Sequence, residues 1–180
     1  MTDLIDQTLS TERLDLRVVE PQDATVLSEL MSEDISRWVA AWPYPLSPAA
    51  AAEIVETARA GAVDGTGLPM VAIETRTGQT VGWLKIDITA GSERIVELGY
   101  WIAEPAQGRG YAFEIAKAAS DFAFSQLDAD AIIAGAQIEN RASHALLAKL
   151  GMTPSDEKPV WAPARQRWET CKFWRLERPR

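Results

Sequence analysis

Across residues 96–124 the chain changes its hydrophobic period in a way that few folds accommodate. Val96, Leu98, Tyr100 and Ile102 alternate with Glu97, Gly99 and Trp101, the period-two pattern of a strand with two unlike faces. After a short connection, Ala112, Ile115, Ala119 and Phe122 recur at helical spacing. Between the two patterns lies Gln107-Gly108-Arg109-Gly110-Tyr111-Ala112. Glycines at 108 and 110 let the backbone approach a ligand closely. The start of the following helix adds unpaired N–H groups and a partial positive charge. Such a strand, glycine loop and helix form either an anion site suited to a pyrophosphate or a plain turn into a helix. No Gly-Lys-Ser/Thr follows, as a P-loop requires, and the third glycine of a dinucleotide fingerprint is missing.

The rest of the chain alternates the same two kinds of element. Leu14–Val18 reads as a half-buried strand. Pro21 and Asp23 open a short helix with Val26, Leu27, Leu30 and Met31 at helical spacing. The proline-marked aromatic stretch Trp38, Trp42, Pro43, Tyr44, Pro45 precedes a helix that Ser47-Pro48 starts and that is predicted to run to about Gly61. Met70–Thr75 and Thr80–Ile88 form a hairpin around Thr77-Gly78, and a turn near Ala90-Gly91 leads on to residue 96. Ala131–Ala136 is a short strand. Asn140 begins a helix with Ser143, Leu147 and Leu150 on one side, which Gly151 stops. Trp161 and the run Trp168–Leu176 suggest a closing antiparallel hairpin. The order β-α-α-β-β-β-α-β-α-β-β is an α/β mixture of the α+β type with one sheet, and residues 1–180 are expected to form one domain.

Composition excludes several functions. Acidic residues outnumber basic ones 26 to 18, which leaves no general footprint for nucleic acid. Residues 158–180 nonetheless hold seven basic residues and two acidic ones, either a solvated strand face or an anion contact. One cysteine, Cys171, allows no disulfide within the chain and reads as a buried thiol rather than a nucleophile. One histidine, His144, argues against a His-rich metal site, so no metal is expected. His144 is adjacent in a helix to Ser143, and such neighbours do not face each other, which disfavours a Ser-His-Asp triad. No apolar run approaches the ~20 residues needed to cross a bilayer. The acidic N-terminus does not look like a signal peptide, so a cytoplasmic location is expected.

At the 107–112 loop the sequence resembles the GNAT superfamily of acetyltransferases. The family's pyrophosphate loop reads Gln/Arg-x-x-Gly-x-Gly/Ala, and Gln107, Gly110 and Ala112 match it in order. Four further stretches are similar to its ribosomal-protein N-terminal (Rim-type) branch. They are Thr11-Glu12-Arg13-Leu14-x-Leu16-Arg17, Trp42-Pro43-Tyr44-Pro45, Leu98-Gly99-Tyr100-Trp101-Ile102, and the set Glu139, Asn140, Ser143, Leu146, Lys149 and Gly151. The resemblance covers roughly residues 11–176. It implies a mixed, mostly antiparallel sheet of about seven strands with about four helices, and a splay between the fourth and fifth strands that admits acetyl-CoA.

The same resemblance implies the site. Gln107, Gly108, Arg109, Gly110, Tyr111 and Ala112 would hold the pyrophosphate, and the strand edge at Trp101, Ile102 and Ala103 would pair with the pantetheine arm. Asn140 would bond the arm or its acetyl end, alongside or instead of capping its helix. Many family members protonate the leaving thiolate with a tyrosine where this chain has Leu147; the Rim-type branch places a serine at Ser143, beside the sulfur or carbonyl. Glu97 would take the amine proton through water, if burial raises its pKa. Its alternative is a surface or cation-paired carboxylate. Trp38, Trp42 and Tyr44 would line the acceptor side or belong to the core. The implied activity is acetyl transfer to a primary amine. A protein N-terminus is favoured as acceptor, a small amine is the alternative, and a silent acyl-CoA-binding module is the rival from another class. Homodimer formation stays open.

Overall fold

The alternation at residues 14–18 produces β2 (Leu14–Val18), which buries Leu14, Leu16 and Val18 and exposes or half-exposes the residues between. A short partner strand precedes it, β1 (Thr8–Ser10). The computed structural model describes residues 4–89 and 91–179, so the expected turn at Ala90-Gly91 lies partly outside the described residues. Next come α1 (Asp23–Leu30), α2 (Glu33–Ser36), α3 (Pro48–Asp64), β3 (Gly67–Glu74), β4 (Thr80–Thr89) and β5 (Ile95–Ile102). A single 3-10 turn, Glu104–Ala106, then leads to α4 (Tyr111–Ser125), β6 (Ala131–Gln137), α5 (Arg141–Lys149), β7 (Thr153–Ala162) and β8 (Arg167–Glu177).

The strands form one sheet in the order β1-β2-β3-β4-β5-β6-β8-β7. All pairings are antiparallel except β5 with β6. The sheet therefore has eight strands where about seven were expected, because β1 is too short to show an alternating pattern. The helix that Ser47-Pro48 starts, α3, runs past Gly61 and stops at Gly65, whose φ of 71° is the left-handed conformation that ends a helix. α2 is a single turn capped by Ser32, whose side chain accepts from the Ile35 N–H at 3.3 Å.

Two cores lie on opposite faces of the sheet. One gathers Val96, Leu98 and Ile102 of β5 with Ile115, Ala119 and Phe122 of α4 and Leu147 of α5. The other gathers Trp83 and Trp101 with Leu27, Trp42 and Val55 from α1, α3 and their connection. The two faces of the 96–102 strand thus serve two layers of helices.

The feature that positions the site is the β5–β6 pairing. It comprises Ile95↔Ala131, Val96↔Ile132 and Glu97↔Ile133, and goes no further. Beyond Glu97, β5 stays with β4 as far as Ile102↔Gly82, while β6 stays with β8 as far as Gln137↔Cys171. The two strands diverge and leave a gap between residues 98–102 and 134–137.

The basic C-terminal stretch is largely consumed by carboxylates. Arg165 meets Glu169 at 2.7 Å, Arg175 meets Glu177 at 2.7 Å and also Glu93, and Arg178 meets Asp128 at 2.7 Å. Arg165, Arg167, Arg175 and Arg178 thus make a paired strand face.

Candidate active site

A cavity of about 900 Å³ fills the gap between β5 and β6 and reaches both faces of the sheet. One end lies at the 107–113 loop. Gly108 and Gly110 have φ of 73° and 83°, the left-handed region, which a glycine occupies without strain. This path brings the loop round into α4, with Gly110 as its N-cap. Among the described residues, the N–H groups of residues 108–113 meet no protein acceptor. Five of these residues, Gly108, Gly110, Tyr111, Ala112 and Phe113, line one end of the cavity, at the positive end of a helix. Gln107 is not among them. Its N–H donates to the Glu104 carbonyl at 3.1 Å, and its side chain donates to the Ile102 carbonyl at 2.9 Å, so Gln107 ties the loop to the end of β5.

Arg13 braces the loop from outside. It donates to the Arg109 carbonyl at 2.9 Å and binds the Glu114 carboxylate through Nε at 2.8 Å and Nη2 at 2.6 Å. Its guanidinium also stacks 4.6 Å over the Tyr111 ring. The Tyr111 hydroxyl donates to Glu74 at 2.6 Å, which fastens the first turn of α4 to β3. Arg13 stands in the Thr11–Arg17 stretch quoted for its resemblance, yet a contact across some hundred residues gives no local signal.

The strand edge differs in detail from the expectation. Ala103 donates its N–H to Val81 at 2.8 Å, toward β4. Main-chain groups in antiparallel strands alternate sides, so Trp101 also turns toward β4 while Tyr100 and Ile102 turn toward the gap. The main-chain groups that face the gap are therefore those of Tyr100 and Ile102, with the Ile102 carbonyl already taken by Gln107, while those of Trp101 and Ala103 face β4.

The start of α5 forms the opposite wall. Asn140 Oδ1 accepts from the Ser143 N–H at 3.1 Å, the N-cap role, and its Nδ2 has no protein acceptor among the described residues. Ser143 faces the cavity. Beside it stands the Tyr100 hydroxyl, near enough to be influenced by Ser143 but short of hydrogen-bonding geometry. Leu147 is buried behind them. His144 turns elsewhere. Its Nδ1 accepts from Trp174 Nε1 at 3.0 Å, which fixes the tautomer that donates from Nε2 to the Gln137 carbonyl, also at 3.0 Å. His144 ties α5 to the sheet and is not directed at Ser143.

The far end of the cavity lies on the α1–α3 side. Glu97 points into it, opposite Asp87 on β4. Burial, then the Asp87 charge, push the Glu97 carboxyl above its ordinary value, while Lys158 and Lys85 pull the other way. A side chain at Gly99 would meet nothing within 4 Å, so the space between Glu97 and Trp101 is open. Trp42 is 4% exposed and packs edge-on against Trp83 and Trp101, with ring centres 5.0 and 5.3 Å apart. It is core that also walls the cavity. Trp38 lines the cavity, half-buried, with Arg37 4.8 Å from its ring centre. Tyr44 is not brought to the site: it is 53% exposed and outside the lining, because the chain turns outward at Pro43 once Trp42 has turned inward.

Sequence reading missed the clamp over this end. Glu169 accepts from Arg165 Nε at 2.8 Å and Nη2 at 2.7 Å, from Arg167 at 2.8 Å and from Gln137 at 3.0 Å. Arg165 also donates to the Ser36 and Val39 carbonyls, so the β7–β8 hairpin is latched to the segment carrying Trp38. Arg165 first among these donors holds the Glu169 carboxyl down at about 2. A carboxyl depressed in the fold contributes stability that is complete above its unfolded pKa and is lost as pH falls through the folded value. Stability should therefore drop as pH falls from about 4.5 toward about 2, and Glu169→Gln should flatten that part of the curve. Urea midpoints against pH test this; parallel acid slopes for the two proteins would refute it.

The fold is that of an acetyltransferase family. The acetyltransferase (GNAT) domain family matches residues 13–153, and the chain belongs to that family. An N-acetyltransferase p20 of Bacillus licheniformis, itself uncharacterized, is 26% identical over 145 residues, 80% of this chain and 81% of that protein. RimJ of Mycobacterium smegmatis, solved in complex with CoA-disulfide, superposes with a TM-score of 0.86 at 24% identity, covering 98% of this chain and 90% of that one. A spermidine N-acetyltransferase SpeG chimera from Vibrio cholerae and hSSAT superposes at 0.76 and 18% identity, covering 93% and 96%. Among the described residues no helix is long and apolar enough to cross a membrane.

Proposed function

We propose that this GNAT enzyme transfers the acetyl group of acetyl-CoA to the α-amine of a protein N-terminus. One observation carries the reading: a single cavity through the sheet joins a loop of five lining residues with unpaired N–H groups on one face to a desolvated carboxylate, Glu97, on the other. Such donors suit a pyrophosphate. The open main-chain edge at Tyr100 and Ile102, with Asn140 Nδ2 opposite, suits the amide-bearing arm that follows it. Ser143 would stand beside the thioester, and Glu97 would accept the amine proton through water. A carboxyl raised toward the working pH is matched to that task.

Trp101 Nε1 favours a peptide acceptor. It is buried without an acceptor atom among the described residues. A peptide N-terminus offers a carbonyl oxygen close to its amine, whereas the ammonium groups of a polyamine offer only donors. The latch through Arg165 favours a small amine instead, because it ties the β7–β8 turn to the segment that carries Trp38.

Thiol release from acetyl-CoA, measured across N-terminal peptides, polyamines and amino-acid derivatives, tests the proposal. Peptides should turn over and polyamines should not; turnover with polyamines alone would overturn the acceptor assignment. Trp38→Ala should raise the acceptor KM and leave that for acetyl-CoA nearly unchanged. Trp42→Ala is the wrong probe, since removing a core tryptophan costs about 3–5 kcal/mol of stability.

A further inference from the structure

We propose that the Tyr100 hydroxyl donates a hydrogen bond to the coenzyme A sulfur as it departs, which makes Tyr100 a catalytic residue; this rests on the acetyl-CoA reading above. Among the described residues two buried side-chain polar atoms have no partner, Tyr100 Oη and Trp101 Nε1. They belong to consecutive residues of β5, on opposite faces, at the point where the strand has left β6. Buried polar groups without partners are rare enough to need a reason. Leaving a hydroxyl unpaired costs about 1–3 kcal/mol. A ligand that supplies the missing partner recovers that cost.

The position of Tyr100 says which partner. Its ring lies three residues past the last β5–β6 pair and lines the cavity on the α5 side. The Ser143 side chain is its polar neighbour, and Asn140 caps the Ser143 N–H, which holds that first turn of α5 in place. Leu147, on the next turn, is buried and apolar. Tyr100 and Ser143 therefore bring the hydroxyls to this part of the gap, between the pyrophosphate loop and Glu97.

The relative acidities decide the form of the help. Burial pushes the Tyr100 phenol above its ordinary value, Ser143 opposes this, and no charged group adds to either. An alkyl thiol ionises near ~8.5 and a phenol near ~10. Full proton transfer from this phenol to a thiolate is therefore uphill, and the hydroxyl stays protonated. When the carbon–sulfur bond breaks, the electron pair remains on sulfur. Tyr100 stabilises that charge through its O–H and keeps its proton. The amine gives up its own proton toward Glu97 and water, and the thiolate takes a proton from solvent after release. Products and protons then balance with no group left altered.

The test is the ionisation of the coenzyme A thiol in its complex with the protein, followed by ultraviolet thiolate absorbance against pH. Wild type is compared with Tyr100→Phe, which keeps the ring and its packing, and with Ser143→Ala. A hydrogen bond to a charged acceptor is worth about 10–100-fold. The bound thiol should therefore ionise about one pH unit or more higher in Tyr100→Phe than in wild type. The kcat should fall on the order of 10–100-fold, with acetyl-CoA affinity nearly unchanged. Ser143→Ala should shift the thiol less, since Tyr100 remains. Equal thiol ionisation in wild type and Tyr100→Phe overturns the proposal. So does a loss of acetyl-CoA affinity that accounts for the whole loss of rate, which would make the hydroxyl a packing group. Failure of wild type to bind coenzyme A would instead refute the reading of the site on which the proposal rests.

Discussion

Glu97→Gln should lower kcat by about 10²–10⁴-fold while acetyl-CoA binds as before. Glutamine keeps the size and polarity of the side chain and removes its capacity to take a proton. Glu97 is on the far side of the sheet from the 107–113 loop, so cofactor affinity has no reason to change. The pH profile gives a second readout. Burial and Asp87 raise the Glu97 carboxyl, so the rate should climb with pH through a value above the ordinary 4.5 of a glutamate. That acid limb should vanish in Glu97→Gln. The neighbouring charges make the limb adjustable: Asp87→Asn removes a raising influence and should move it to lower pH, and Lys158→Ala should move it up. A Glu97→Gln enzyme with the wild-type rate and the same acid limb would show that water alone takes the proton.

Gly110→Asp should weaken acetyl-CoA binding on the order of 10–100-fold, the range of one or two lost hydrogen bonds to a charged group. At φ of 83° the residue is in the left-handed region, which aspartate tolerates better than most side chains. Its Cβ would lie 3.5 Å from Arg13 Nη2, which is contact and not collision. The protein should therefore fold. The carboxylate would sit at the N-cap, where aspartate accepts from the N–H two or three residues into the helix. Those are donors that would otherwise meet phosphate, and the added charge repels it. Calorimetric titration against acetyl-CoA checks the loss. Gly110→Asn separates the two causes, since it competes for the donors without the charge. Unchanged affinity in a folded Gly110→Asp protein would place the pyrophosphate elsewhere.

How far the sequence carried these conclusions depended on the range of the signal. The 96–102 alternation and the 107–112 loop are local patterns with local physical causes, and both became the elements expected of them. The splay was expected only through resemblance, because the point where β5 parts from β6 is set by what each strand pairs with on its other side. β1 was missed because three residues cannot show a period, and α2 because a single turn buries too little. β7 was seen only at Trp161, since Thr153–Pro159 is exposed throughout and carries no buried alternation. The Tyr100–Ser143 contact joins positions far apart in the chain, and in the strand pattern Tyr100 reads only as one more residue of the buried face. The Glu169 latch is similar: a basic stretch announces charge, but its partners are visible only when β8 pairs with β6 and the β7–β8 turn reaches Ser36.

The three-residue seam between β5 and β6 makes the sheet two plates sharing a short hinge. Past Glu97 neither plate completes the other, and the facing edges have unspent hydrogen-bonding capacity. An extended arm lying in the gap would act as a temporary ninth strand. Occupancy would then be felt as cohesion as well as chemistry: at a hundred times its dissociation constant, a ligand of the native state adds about 2.7 kcal/mol to stability. The amide protons of Tyr100 and Ile102 would be slow to exchange when coenzyme A is abundant and fast when it is scarce, so the rigidity of this protein would follow the acyl-donor supply around it.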